Sequence, residues 1–278
     1  MKHLFYSLSA GLIGLTLAGS AQAAFDIKHA GSVDPVMEGF TVEACCGRSA
    51  SGPALGDLGR DAWSITGQER SYQFGYYSGA LSPTQKADIG SQGFVLTLEA
   101  RASQGVAPVY DSSSHITVGG AAVDMGTSRF EIGLGVDGSG DTVVVLPTSI
   151  DPLGPEGSIR TSGPSYTLDG SGSSYHIYQL VFNSEIQAAD LFVDGTERIR
   201  GYTGDPSFLD NKGLKFGAFS GGQINFAQVQ LTSPVPEPSG RAMMGAGVLL
   251  LISLRLISLK KSRASSTSFP RLRYCHRV

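Results

Sequence analysis

The chain has 278 residues, 37 of them glycine, and only 16% are charged. Abundant Gly, Ser, Asp and Asn between short apolar runs set it against long-helical and coiled-coil classes. Between Ala24 and Ser233, 23 acidic residues stand against 12 basic ones, a balance that repels phosphate backbones and argues against a nucleic-acid partner.

Residues 1–23 read as a secretory signal. Lys2 and His3 form a polar start, an apolar run extends from Leu4 to Ala18, and Ala21-Gln22-Ala23 has the small-x-small form that signal peptidase requires. A buried N-terminal helix is the alternative. Removing both ends leaves a domain at 24–233 of about 210 residues, a length that suits one β-sandwich.

The first features of that domain are Asp34-Pro35 and Glu38-Gly39-Phe40, followed by the adjacent Cys45 and Cys46. Export permits their oxidation. A vicinal disulfide, two free thiols and intermolecular pairing are the alternatives, with the first strained. Trp63 lies in the β-forming Ala62–Ile65. Beyond it, Tyr72, Phe74 and Tyr76 share one strand face and Tyr77 takes the other. Trp63 and Tyr77 are therefore the candidate ligand-stacking aromatics, with Tyr77 expected to be exposed; core packing is the competing role.

Gly93–Arg101 is a strand, as is Ser128–Val136, with Phe130, Ile132 and Leu134 on one face. Asp137-Gly138-Ser139-Gly140 turns the chain into Thr142–Leu146, making a hairpin. Asp137, Ser139 and Asp141 offer oxygen atoms at alternate positions, the first half of a calcium loop, but the bidentate glutamate of an EF-hand is absent. The same residues suit a turn whose aspartate caps its own backbone. Tyr175–Phe182, Ala189–Val193, Leu214–Phe219 and Phe226–Leu231 complete the strands, and Asp194-Gly195 marks a further turn. No amphipathic helix is expected between Phe25 and Ser233. Strands recurring every 8–15 residues with Gly/Asp turns predict an all-β sandwich.

The C-terminal end combines Val235-Pro236-Glu237-Pro238-Ser239, an apolar run from Ala242 to Leu254 extending to residue 259 across Arg255, and a basic cluster of Arg255, Lys260, Lys261 and Arg263. The run is of marginal length for a bilayer, and the basic cluster would hold that end in the cytoplasm. Over Val235–Arg263 this order resembles the PEP-CTERM sorting signal. The resemblance implies that Pro236, Glu237 and Pro238 are read by an exosortase-type processing enzyme. It also implies that the helix at 242–259 anchors the chain transiently in the inner membrane of a Gram-negative bacterium making exopolysaccharide. The segment at 234–263 would be that signal, and 264–278, a basic tail, would be disordered. The tail and Arg255 depart from the family pattern, and an ordinary tail anchor is the alternative.

The order of central strands resembles a concanavalin A-like jelly-roll β-sandwich, the fold of laminin G domains and many lectins. The resemblance rests on Tyr175–Phe182 followed by Ala189–Gly195, on Gly213–Phe219 followed by Ile224–Leu231, and on the entry segments around Asp34 and Trp63. It implies an all-β fold flanked by a signal helix and a short transmembrane helix. Glycosidases of this superfamily carry strand acids spaced as Glu-x-Asp; here no such run occurs, and Glu99, Glu131 and Glu185 stand singly. The expectation is a non-enzymatic surface or matrix protein binding glycan or exopolysaccharide, with no cofactor unless calcium. A carbohydrate-active enzyme and an inert scaffold are the alternatives.

Overall fold

The structure is a computed structural model that describes residues 25–42, 50–67, 77–104, 115–116, 118–151, 160–206, 213–218 and 222–233. The expected signal and sorting segments, Cys45, Cys46 and the run Tyr72–Tyr76 lie outside these residues.

In chain order, β1 (Asp26–Ala30) and a 3₁₀ turn (Pro35–Glu38) lead to β2 (Thr41–Val42). β3 (Ala50–Asp57) and β4 (Arg60–Thr66) form a hairpin, and β5 (Tyr77–Gly79) precedes helix α1 (Pro83–Gln92). There follow β6 (Phe94–Gln104), β7 (His115–Ile116), β8 (Gly119–Asp124), β9 (Arg129–Val136) and β10 (Thr142–Val145). β11 (Ser149–Asp151) and β12 (Arg160–Ser162) join β7 in a small sheet. β13 (Ser165–Leu168), β14 (His176–Asn183), β15 (Ala188–Val193), β16 (Thr196–Tyr202), β17 (Leu214–Ala218) and β18 (Gln223–Thr232) complete the series.

Two antiparallel sheets make the sandwich. The larger runs β16-β15-β14-β6-β18-β4-β3, with β1 also pairing to β18. The smaller runs β13-β10-β9-β8-β17-β5-β2. Alternation explains the larger one: on β6, Phe94, Leu96, Leu98, Ala100 and Ala102 are buried while Val95, Thr97, Glu99 and Arg101 are partly open. β14 does the same with Tyr178, Leu180 and Phe182. These meet Phe130, Ile132, Leu134 and Phe216 of the smaller sheet, with Phe94 edge-on to Phe130 at 5.8 Å and Phe216 edge-on to Phe226 at 5.2 Å.

The smaller sheet breaks the alternation. β8, β10 and β17 are buried at every position, and β9 at all but Val136. Three glycines meet in register across its central strands, Gly120 pairing with Gly133 on one side and Gly217 on the other. Gly120 has φ +154°, and an added Cβ would run into the Ile132 carbonyl.

The expected turns form. Asp194 and Gly195 both have positive φ, as a two-residue type I′ hairpin between β15 and β16 requires. The absence of a helix was not a correct expectation. α1 starts with a capping box, Ser82 accepting from the Gln85 N–H while the Gln85 side chain accepts from the Ser82 N–H, and Pro83 occupies the first turn. It buries only Ile89, so it has almost no apolar stripe to read. The free edges carry defences against pairing: Pro53 on β3, and exposed Glu197, Arg198 and Arg200 on β16.

Gly120→Ala is expected to lower stability by about 3 kcal/mol or more, because strain and overpacking coincide there. Gly138→Ala, in an open turn with nothing near its added Cβ, should change it by under about 0.5 kcal/mol. Thermal or denaturant unfolding of the two variants checks the contrast.

Candidate functional site

The outer face of the larger sheet is open. Cross-strand pairing aligns Phe192 with Gln179, Gln179 with Thr97, Thr97 with Gln230 and Gln230 with Lys28, one row over β15, β14, β6, β18 and β1. Paired residues of antiparallel strands share a face, and each member of this row is partly or fully exposed. Ile177 and Val181, on either side of Gln179 along β14, add exposed apolar surface at 41% and 37%. Gln228 donates to the Gln230 carbonyl oxygen at 2.7 Å, and Gln230 donates to Asp26 at 2.9 Å.

One end of this face is roofed by the β3–β4 hairpin tip. Gly56 and Gly59 have positive φ there, as does Leu58 at +48°, a conformation few branched side chains adopt. What holds the tip down is Asp57. Its carboxylate accepts Arg101 through two bonds of 2.6 Å, the Tyr175 hydroxyl at 2.7 Å and the Asn225 amide at 2.6 Å. Arg101 also donates to the Ser173 carbonyl at 3.3 Å, and Arg60 pairs with Glu99 at 2.9 Å. The fork of Arg101, helped by Asn225 and Tyr175, draws the Asp57 carboxyl down to about 2. Burial, and the hydrogen bond its phenol gives Asp57, push Tyr175 upward.

Over its central strands the outer side of the smaller sheet is closed and charged. Arg129 and Glu131, alternate residues of β9, form an ion pair of 2.9 Å with both side chains about fully buried. Lys215 on β17 lies in register with Ala122 and through it with Glu131, and Asp124 and Asp205 are buried too. Burial pushes the Glu131 carboxyl upward, against the pull of Arg129 and Lys215. The Arg-x-Glu alternation on β9 was the available signal; the sequence reading weighed Glu131 only for a second acid on its own strand.

Trp63 and Tyr77 are not stacking platforms. Trp63 is 7% exposed and Tyr77 2%; they meet edge-on at 6.4 Å, and Tyr77 stacks on Phe216 at 5.4 Å. Tyr77 opens β5, which is buried at all three positions, so neither face of that strand offers the ring to solvent. Asp137 accepts the N–H groups of Ser139 at 2.8 Å and Asp141 at 2.9 Å. Asp141 accepts those of Gly170 at 3.0 Å and Gly172 at 2.9 Å, which lower its carboxyl. Both carboxylates thus serve as turn caps, Asp137 through Oδ1 and Asp141 through both oxygens. Among the described residues no group of three His, Cys, Asp or Glu is placed to hold a metal, and no helix is long and apolar enough to cross a membrane. Pro236, Glu237, Pro238, Cys45 and Cys46 lie outside the described residues.

No protein-family model and no curated protein matches the chain. Among solved structures it is similar to a Crh5 transglycosylase in complex with NAG, at 12% identity and a TM-score of 0.39, covering 78% of this chain and 86% of that one. It is similar to the binding domain of botulinum neurotoxin serotype G at 8% identity and a TM-score of 0.38, covering 81% of this chain and 47% of that one. Domain 4 of AbnA, an extracellular arabinanase from Geobacillus stearothermophilus in complex with arabinotriose, gives 11% identity and 0.33 over 79% of this chain and 86% of that one. The chain spans about half the length of the neurotoxin binding domains it matches, 46% and 47%. At such scores the likenesses decide nothing about the site.

Asp57 is ionised more readily in the folded chain than at its ordinary value near 3.8. Its contribution is therefore complete above that value and is lost as pH falls through about 2. Thermal melts of the native chain should weaken between about pH 4 and about pH 2, and Asp57→Asn should make that slope shallower. An unchanged slope in the variant would remove Asp57 as the clamp.

Proposed function

We propose that the chain is an exported, non-enzymatic surface or matrix protein whose concanavalin A-like sandwich binds a glycan on the open face of its larger sheet. The observation that carries this reading is the contrast between the sheets. One outer face offers amides, a hydroxyl and a partly exposed phenylalanine in register, while the other is buried over β8, β10, β17 and nearly all of β9. Planar amides beside an apolar ring suit a ligand that is polar at its edges and apolar on its flat sides. Export rests on the signal at 1–23 and on Pro236-Glu237-Pro238 with its apolar and basic successors. Signal peptidase and an exosortase-type enzyme are the processing partners, the inner membrane is a transient station, and exopolysaccharide is the ligand source.

The chain recovered from its exporting cell should be retained by polysaccharide in pull-down, equally with added calcium and with chelator. Its mass should show loss of residues 1–23 and of the segment after Pro238. An untrimmed chain recovered from the cytosol would end the export reading; retention on no glycan would end the binding one.

A second reading, a carbohydrate-active enzyme, draws on the buried Glu131 whose carboxyl is held protonated more readily than usual. Under the leading reading Glu131→Gln lowers stability by about 3 kcal/mol, since Arg129 loses a buried counter-charge, and alters no sugar release. Reducing sugar released by the native chain, and abolished in a cooperatively folded Glu131→Gln variant, would move the function to this cluster.

A further inference from the structure

The acidic groups beside this row have partners within the protein. Asp57 is matched by Arg101, Glu99 by Arg60, and Glu197 by Arg200 at 2.6 Å. Asp194 accepts from the Ile177 N–H and lies 2.7 Å from His176, while Asp190 accepts the Gly201 N–H at 2.8 Å. Between these pairs Phe192, Gln179, Thr97 and Gln230 carry no formal charge. Among the described residues, neither the Gln179 amide nor the Thr97 hydroxyl has a hydrogen-bond partner in the protein. Their donors and acceptors are met by solvent, and a ligand can replace that solvent without breaking any internal bond.

Resting on the glycan reading of this face, we infer that its ligand is a neutral polysaccharide strand lying across the β-strands along the Phe192–Gln179–Thr97–Gln230 row. Phe192, flanked by Ile177 and Val181, takes the apolar side of a sugar ring. The hydroxyls of the following rings exchange hydrogen bonds with Gln179, Thr97 and the carbonyl oxygen of Gln228, whose N–H₂ is already donated to Gln230. From β15 to β1 the row crosses four strand spacings, about 19 Å, enough for several linked rings. Among the described residues of this row a polyanion finds one cation, Lys28 at the far end, against a domain carrying 23 acidic and 12 basic residues. The Asp57 cluster is the side wall: its oxygens are filled by Arg101, Tyr175 and Asn225, so it positions the hairpin tip and does not itself hold sugar.

The test is affinity electrophoresis and calorimetry of the chain from its exporting cell. Dextran and xylan serve as neutral probes and alginate and hyaluronan as acidic ones, each at low and high salt. Neutral polymer should be retained with little salt dependence, because no counterions are released. Phe192→Ala and Gln179→Ala should each weaken retention about tenfold or more, with melting unchanged for the second. Met37→Ala, on the exposed 3₁₀ turn, should have no effect. Retention on none of the polymers removes the glycan reading itself. Retention of acidic polymers that fades with salt, or neutral retention indifferent to both row substitutions, leaves glycan binding standing and overturns this ligand and this row.

Discussion

Every second side chain of β6 is withdrawn from water, and much of the molecule follows from that constraint. β6 sits between β14 and β18, and its Leu96 and Leu98 pair in register with Leu180, Leu231, Tyr178 and Val229. A slip of one residue would turn Glu99 and Arg101 into the core and Leu98 out of it, so the apolar half of the pattern fixes the register. The polar half has no choice but to line up as well. The alignment of Gln179, Thr97 and Gln230 is thus inherited from burial on the opposite side of the same strands.

The two outer faces show what environment does to one functional group. Asp57 lies near the surface, among donors, and its carboxyl is easier to ionise than usual. Glu131 lies in a closed layer, and its carboxyl is harder to ionise, although Arg129 stands 2.9 Å away. Water remains available to the first and is denied to the second. A binding face must exchange solvent for ligand at little cost, and the partly open amides of the larger sheet meet that condition. The charged layer of the smaller sheet gives its groups a fixed environment, which suits rigidity or proton chemistry more than reversible docking.

The sequence was readable where alternation was clean. β14, β15 and β9 stand close to where period-two patterning places them, because core and solvent lie on opposite sides of β14 and apolar Phe130, Ile132 and Leu134 alternate on β9. β8 was not readable: Gly-Gly-Ala-Ala-Val-Asp carries few β-formers and is buried throughout, so neither composition nor periodicity marks it. α1 was missed because Ile89 alone anchors it, although Ser82, Pro83 and Gln85 spell its start. Tyr77 was misplaced because β5 is buried at all three of its positions, so alternation within it brings no residue to solvent. The Asp57 cluster joins residues 44, 118 and 168 positions apart, and no local pattern announces such a meeting.

Proline on β3 and three charges along β16 were noted as properties of isolated edges. Their consequence emerges when copies crowd together. Unpaired rims of flat sheets are templates along which neighbouring molecules zip into continuous ribbons. Pro53 has no N–H to offer such a seam, and Glu197, Arg198 and Arg200 would have to shed their water to enter one. Densely packed copies would therefore remain separate particles instead of hardening into a fibre.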